Sequence, residues 1–564
     1  MEAVWNERPL RRRFEQPSRG ICLSTSTCPE VFLERKVKVL MLVRRCPWHF
    51  IQLHQLWRPR QIHTRDAEAI HDKRWPGWQV VIGIEVHAQI KSRRKLFSES
   101  FTSRPGETPN TTVSAFDSAF PGTLPTLNPK CVELAVRTAL ALNSKVHYRS
   151  AFDRKHYFYS DLPAGYQITQ RYSPLASSGY VKLSKGDVSV GIQQIQLEQD
   201  TAKSTFDGLR RTSLVDLNRA GSGLMEIVSE PHMRSPEEAA DYVRTLQAVL
   251  RCVGSSDGNM EQGSFRCDVN VSVNKHGQPH GTRCEIKNLN SVKFMMVAIT
   301  SEVFRHIELL ESGHSVPQDT RGFDENRAET FRLRSKADSP DYRYMPDPNI
   351  PPLLLSEEYI ETIRKTMPDL PDATRARLLK LGLSERDTDV LMAVDSGREV
   401  GFDGELGKGA VTYFDSLAQQ RDPKVVVNWM THELIGQLTA RKETFSDNPV
   451  SVEQLGELID LVQAGKITGT SGKSLLKHII ANRSSLAPSV LARELSLEAV
   501  SEDDNASTRA WCVEAIEALP EEAEAVRQGN PRVLNKLVGK VMQLSRGRAD
   551  AKNARVVLED VLRR

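Results

Sequence analysis

From Trp78 onward the chain alternates apolar and polar residues in short runs. QVVIGIEVHAQI (79–90), DVSVGIQQIQL (187–197) and RCDVNVSV (266–273) share a period of two, which sends successive side chains to opposite faces of a strand. Gly, Pro and Asn turns separate such runs as far as about Leu355. One stretch keeps a helical period instead. Ser235 and Glu238 pair as a capping box, with Pro236 at the first helical position. Tyr242, Val243, Leu246, Val249, Leu250 and Val253 then recur on one face, and Gly254 offers a C-cap. Residues 77–355 therefore predict an α+β domain.

Strand patterns stop at about Ser356. Residues 356–500 read as helices broken by Pro368, Pro371 and Pro423, one of them opening on Ser451 and Gln454 as a second capping pair. Residues 501–564 are helical again and end in a basic stretch, with Arg532, Lys536, Lys540, Arg546 and Arg548 among its cations. Such a tail can neutralise the phosphates of an RNA backbone, and a solvated helix face fits the pattern equally. No internal repeat is present.

At 564 residues, 39% hydrophobic and 26% charged, the chain has the make-up of a globular enzyme of two or three domains. Val39–Val43, the longest apolar run near the N-terminus, is far too short to cross a bilayer, so no membrane insertion is expected. The net charge of +4 decides little about nucleic acid, but its distribution matters. Lys36, Lys38, Arg44, Arg45, Arg58, Arg60 and Arg65 follow one another without an intervening Asp or Glu. Residues 1–74 accordingly read as a mitochondrial presequence and leader addressed to the matrix, the alternative being a plain basic tail. MLVRRCPWHFIQLHQLWRPRQIHT would serve as a presequence by itself, which makes Met41 the expected start. The eight cysteines form no CxxC pair and suit neither a zinc ribbon nor a disulfide framework; Cys267 and Cys284 are expected to be buried thiols.

The strand-like runs also carry the candidate chemistry. Glu85, His87 and Gln89 share one strand face, and Glu198 and Asp200 share another, with Lys203 following. Arg266, Asp268 and Asn270, then Arg283, Glu285 and Lys287, repeat the pattern. Each segment on its own fits a polar strand face. Together they point to a sheet with one face on the core and the other lining a charged concavity. Oxygen ligands of this kind suit Mg²⁺ bound to nucleotide phosphates, with Arg and Lys neutralising charge during phosphoryl transfer. GTSGKS (469–474) is no phosphate loop, because Ile467 occupies the position of its first Gly. GSSDG (254–258) follows a helix and is no nucleophile elbow. The chain thus offers an ATP-compatible site and no obvious nucleophile motif.

VIGIEVHAQI, FDRKHYFYSDLPAGYQITQ, SLVDLNRAGSGLMEIVSEP, EQGSFRCDVNVSV, EIKNLNS and DYRYMPDPNIPPL, in this order, resemble the GatB family of tRNA-dependent amidotransferase subunits. The resemblance runs from about Trp78 to the C-terminus and implies a cradle-like mixed β-sheet catalytic domain (77–355), an all-helical domain (356–500) and a small YqeY-like helical tail domain (501–564). It implies that ATP phosphorylates the γ-carboxylate of the glutamyl group on Glu-tRNA(Gln) and that ammonia displaces the phosphate. The ammonia would come from an amidase-type A subunit, with a small third subunit, C-type or a fungal equivalent, tying the complex together.

Carried over residue by residue, the resemblance implies metal ligands at Glu85, His87 and Glu198. It implies catalytic roles for Lys155, Glu198, Asp268, Glu285 and Lys287, and nucleotide contacts from Lys155, Arg266 and Lys287. Gln199 stands where bacterial members carry the second Glu of an EED triplet, and the lost charge is expected to weaken a metal ion there. The paralogous GatE proteins carry an inserted domain for which the spacing here leaves no room. A tRNA-binding scaffold without catalysis is the alternative reading, and the retained carboxylates argue against it.

Overall fold

The computed structural model describes residues 72–184, 187–335, 341–499, 505–528, 530, 532–545 and 547–563. Residues 1–71 of the expected leader, with Cys22, Cys28 and Cys46, lie outside the described residues, as does Arg546 of the tail. Arg74, at the leader's end, pairs with Glu237 at 2.7 Å, and Trp75 enters the core.

The alternating runs form strands. In chain order they are β1 (Trp78–Gln89), β2 (Lys145–Val146), β3 (Arg149–Ser150), β4 (Asp153–His156), β5 (Tyr166–Thr169), β6 (Ala176–Lys182), β7 (Ser189–Gln199) and β8 (Lys203–Asp207). They continue as β9 (Thr212–Asp216), β10 (Gly223–Ser229), β11 (Phe265–Lys275), β12 (Cys284–Leu289), β13 (Asp319–Asp324), β14 (Glu329–Ser335), β15 (Met345–Pro346) and β16 (Leu353–Leu354). Nine of them make one sheet in the order β14-β13-β12-β11-β1-β10-β7-β6-β2. β1 sits inside it, antiparallel to both β10 and β11, whereas β12 and β13 run parallel, so the sheet is mixed. A small sheet, β15-β4-β5, stands beside it.

Alternation along β1 decides which side is core. Ile82, Ile84, Val86 and Ala88 are buried, while Glu85, His87 and Gln89 keep partial exposure on the other face. Three helices, α1 (Pro129–Ala141), α2 (Pro236–Cys252) and α3 (Val292–Glu311), share the apolar core through Leu134, Tyr242, Leu246, Met295 and Ile299. The predicted face of α2 is buried from Tyr242 to Val253. At its start Ser235 Oγ accepts from Glu238 N at 3.1 Å. The Glu238 carboxylate accepts from Arg234 N at 2.8 Å, one residue ahead of the cap. Gly254 follows α2 at φ +72°, and a Cβ there would come within 3.0 Å of the Gly404 backbone, so both conformation and contact require glycine.

Beyond β16 the described residues are mainly helical. The first of these helices, α4 (Glu357–Lys365), still sends Ile360 and Ile363 into the sheet's core. A second core gathers Leu391, Phe414, Met430, Leu458 and Ile479, and a third gathers Cys512, Leu537, Val541 and Leu558. The full reciprocal capping box predicted at Ser451 and Gln454 opens the helix Val452–Gln463. Cys267 and Cys284 are buried free thiols.

Candidate active site

Strand register assembles the site. On the antiparallel ladder Glu85 lies opposite Asp268 of β11, and His87 lies between Arg266 of β11 and Glu226 of β10. Glu226 in turn faces Gln196 of β7, two residues before Glu198. Residues directly opposite one another share a sheet face, so these polar side chains converge. Two groups result, both built on His87. With Glu85 and Asp268, or with Glu198 and Glu226, its ligand atoms lie within 4.8 Å of one another. Glu198 is 3% exposed and Glu226 8%.

The charges in this pocket are unevenly matched. Burial disfavours the His87 imidazolium, yet Glu85, Glu226 and Glu198 together push its pKa up to about 9. Burial, then the neighbouring charges of Glu198 and Glu85, raises the carboxyl of Glu226 well above the usual range. Glu85 goes the other way. Burial opposes its ionisation, but His87 at 3.4 Å and Lys287 more than offset that and hold it low. A divalent cation bound here would relieve the crowding of carboxylates that raises the pKa of both Glu226 and His87.

Around this centre β4 and β5 bring a second layer. Lys155 on β4 is held strongly as ammonium, chiefly by the charge of Glu198 and against its own burial. Gln167 on β5 donates to Glu198 Oε1 at 2.7 Å and accepts from the Tyr157 hydroxyl at 2.9 Å, which fixes the carboxylate's orientation. On the far side, Lys287 of β12 bridges Asp268 at 2.5 Å and Glu285 at 2.9 Å. Burial works against its charge, and the two carboxylates prevail and keep it protonated. Arg266 and Arg219 both reach the buried Asp200, each at 2.9 Å.

Lys155, Glu198 and His87 thus meet on one side, with Glu85, Asp268, Lys287 and Glu285 on the other, and Arg266 is held by Asp200. The tail stands elsewhere. Its helices close the third core, Lys536 pairs with Glu522 at 3.6 Å, and Arg548 donates to Glu498 O at 3.3 Å. Arg532 is exposed and Lys540 half-buried. GTSGKS opens the helix Gly469–Asn482, and Ser471 Oγ donates to Gly547 O at 3.2 Å, so a carbonyl of the tail already occupies that helix start. Ser255 and Ser256 of GSSDG are fully buried.

Sequence reasoning misses Glu226. Its signal is a single carboxylate inside the otherwise apolar run GLMEIVS, where a charge has no place unless it is paired or functional. Gln199 reads along the chain as a ligand position. Its side chain instead leaves β7 on the opposite side from Glu198, where Oε1 accepts from Ile168 N at 3.4 Å.

Residues 80–361 match the family described as the GatB/GatE catalytic domain, and residues 412–562 match the GatB domain. The chain is 60% identical over 517 residues to the B-type subunit of the mitochondrial glutamyl-tRNA(Gln) amidotransferase of Laccaria bicolor, covering 87% of this chain and 93% of that protein. It is 46% identical to the mitochondrial counterpart of Cryptococcus neoformans over 86% of this chain and 94% of the relative. The B-type subunit of the aspartyl/glutamyl-tRNA(Asn/Gln) amidotransferase of Methylorubrum populi is 42% identical over 86% of this chain and 96% of its own length.

Proposed function

The chain belongs to the GatB family of tRNA-dependent amidotransferase subunits, in its mitochondrial form, and from that premise we propose how its own side chains carry the reaction. It is the catalytic, ATP-dependent subunit that turns Glu-tRNA(Gln) into Gln-tRNA(Gln). The glutamyl γ-carboxylate takes the terminal phosphoryl group of ATP, and ammonia then displaces phosphate to leave the amide.

The observation that carries the assignment of roles is the convergence of His87, Glu198 and Glu226 within 4.8 Å, with one buried carboxyl forced toward its protonated form. One nitrogen and two carboxylates are a fitting donor set for a divalent cation. Bound there, Mg²⁺ would screen phosphate charge and polarise the phosphoryl group. Glu85 orients His87. Lys155 meets the charge that develops on the acyl phosphate, and Arg266 and Lys287 meet the phosphates leaving with the nucleotide. Asp268 and Glu285 keep Lys287 positively charged and in place.

Membership of the family places the chain in a GatCAB-type complex. Among the described residues no helix is long and apolar enough to cross a membrane. We assign ammonia production to an amidase-type A subunit, since the sequence offers no nucleophile for it, and the joining role to a small third subunit. The first core runs past 355 through Ile360 and Ile363, and the second begins at Leu378. We therefore assign the helix Glu357–Lys365 to the catalytic part, the helices after it to a helical part, and residues 501–564 to a tail whose Arg532, Lys536, Lys540 and Arg548 would meet the RNA backbone.

The test is reconstitution of the complex with ATP, Mg²⁺ and Glu-tRNA(Gln), supplied with either glutamine or free ammonia. Wild type should form Gln-tRNA(Gln) from both donors. His87→Ala should form it from neither, while the partner's glutamine hydrolysis persists. Full amidation by His87→Ala would remove the centre and return the chain to the scaffold reading.

A further inference from the structure

Beside the carboxylates runs a row of tyrosines that the reaction as described does not use. Its members come from three separate segments: Tyr157 and Tyr159 after β4, Tyr172 after β5, and Tyr342 and Tyr344 before β15. Pairing of β15 with β4 sets Met345 opposite Arg154, and His156 N donates to Tyr342 O at 2.8 Å, which joins the segments. Ring centroids then follow at 6.2 Å (Tyr172–Tyr344), 6.0 Å (Tyr344–Tyr342), 5.8 Å (Tyr342–Tyr157) and 5.6 Å (Tyr157–Tyr159).

A structural aromatic cluster buries its rings. This one leaves its two ends open, with Tyr159 60% and Tyr172 67% exposed. Cations accompany it: Lys155 Nζ lies 5.2 Å from the Tyr342 ring, the Arg171 guanidinium lies 5.8 Å from Tyr344, and Arg343 is exposed between the two tyrosines. Rings in series with interleaved positive charge are what an unpaired nucleic-acid strand needs, bases on the rings and phosphates on the cations. A single nucleotide would occupy one or two of these rings, and the length of the row fits consecutive bases. Lys155 sits at the middle of the row and also faces Glu198, so a strand laid on it would end at the metal centre.

We infer that Tyr172, Tyr344, Tyr342, Tyr157 and Tyr159 form a stacking track for the unpaired 3′ end of the charged RNA, delivering its glutamyl ester to the carboxylate centre. The inference rests on the amidotransferase reading above. Its residues position substrate; none is given a chemical step.

Tyr159→Ala and Tyr172→Ala test it at the exposed ends, where removal of a ring disturbs no core. The assay is amidation by the reconstituted complex with free ammonia as donor, so that the A subunit's own chemistry does not enter. Each variant should raise KM for Glu-tRNA(Gln) roughly five- to a hundredfold, the range for loss of one base–aromatic stack. The KM for ATP and kcat at saturating tRNA should stay near wild type, and Tyr159→Phe and Tyr172→Phe should restore binding because the ring is kept. A raised KM for ATP with unchanged tRNA binding would make the row an adenine site for the nucleotide and overturn the inference. So would unchanged constants for both, or a loss of complex assembly, which would make the surface a contact between subunits. If wild type itself forms no amide under these conditions, the amidotransferase reading fails first and the inference falls with it.

Discussion

One domain holds two clusters of the same kinds of side chain, and their surroundings set them apart. His87, Glu198 and Glu226 lie within 4.8 Å of one another, and so do Cys284, Glu302 and His306. Around the first, three carboxylates (Glu85, Glu198 and Glu226) face one imidazole and Lys155, and the carboxyl of Glu226 is driven up. Around the second, the single carboxylate of Glu302 meets Arg305 at 2.5 Å, Arg321 at 2.9 Å, His306 at 3.0 Å and Thr330 Oγ1 at 2.6 Å. Burial opposes the ionisation of Glu302, but bonds from His306, Arg305 and Thr330 prevail and hold its carboxyl far below the usual range. The first cluster is short of positive charge, whereas in the second Arg305 and Arg321 balance Glu302 together with the neighbouring Asp319. Ligand spacing alone therefore does not make a cation site; the local charge balance decides.

The largest effect should come from removing a ligand where positive charge is short. Glu226→Gln keeps the size and loses the charge. Amidation by the reconstituted complex should fall on the order of a thousandfold, since metal stabilisation of a transferring phosphoryl group is worth several kcal/mol. The Mg²⁺ concentration for half-maximal rate should rise with it. A rate near wild type with an unchanged Mg²⁺ requirement would take Glu226 out of the metal centre and collapse the contrast between the clusters.

Glu302→Ala should give the opposite phenotype. It leaves Arg305 and His306 without their carboxylate and Arg321 with only Asp319 at 3.9 Å, a loss of about 3–5 kcal/mol of stability. Amide exchange across α3 and β13 should speed up and the thermal midpoint fall, while the folded fraction keeps most of its activity. The pH dependence follows the same logic. Because the folded pKa of Glu302 is depressed, its contribution is complete above the unfolded value of about 4.3 and is lost as pH falls from there toward the folded value. Wild type should therefore lose protection of α3 steeply below about pH 4, and Glu302→Gln should show a shallower acid limb from a lower starting point. Equal slopes would mean that Glu302 is not what ties this corner of the sheet together.

Much of the site was legible in the sequence because strands advertise their two faces. Period two in IGIEVHAQI and RCDVNVSV separated Ile84, Val86 and Val269 from Glu85, His87 and Asp268, and the burial follows that division except at Asp268, which is buried under its bridge to Lys287. Ser235, Pro236 and Gly254 marked both ends of α2 through local backbone chemistry. Strand order was not legible. Nothing local tells that β10, distant from β1 in sequence, pairs with it and sets Glu226 opposite His87. The tyrosine row was hidden for the same reason: its members lie in segments that only tertiary pairing joins. Resemblance to the GatB family supplied the activity, which alternation could not.

Gln199 gives the smallest predicted effect and the finest test of the charge argument. Read along the chain, it interrupts a run of acids beside Glu198, and restoring the acid would be expected to strengthen metal binding. In the fold, adjacent strand residues point to opposite sides, and Gln199 lines a small cavity with Asp161, Asp200 and Tyr166. A carboxylate there would act on the His87 centre only through its field, and it would also stand against Asp161 and Asp200. Gln199→Glu should therefore shift the Mg²⁺ requirement by less than about tenfold, far less than Glu226→Gln, because a charge outside the ligand shell contributes only a partly screened Coulomb interaction. Titration of amidation rate against Mg²⁺ for the two variants in parallel decides the matter. If Gln199→Glu tightens the metal requirement as strongly as Glu226→Gln weakens it, the side chain reaches the centre after all and the division between the two faces of β7 is wrong.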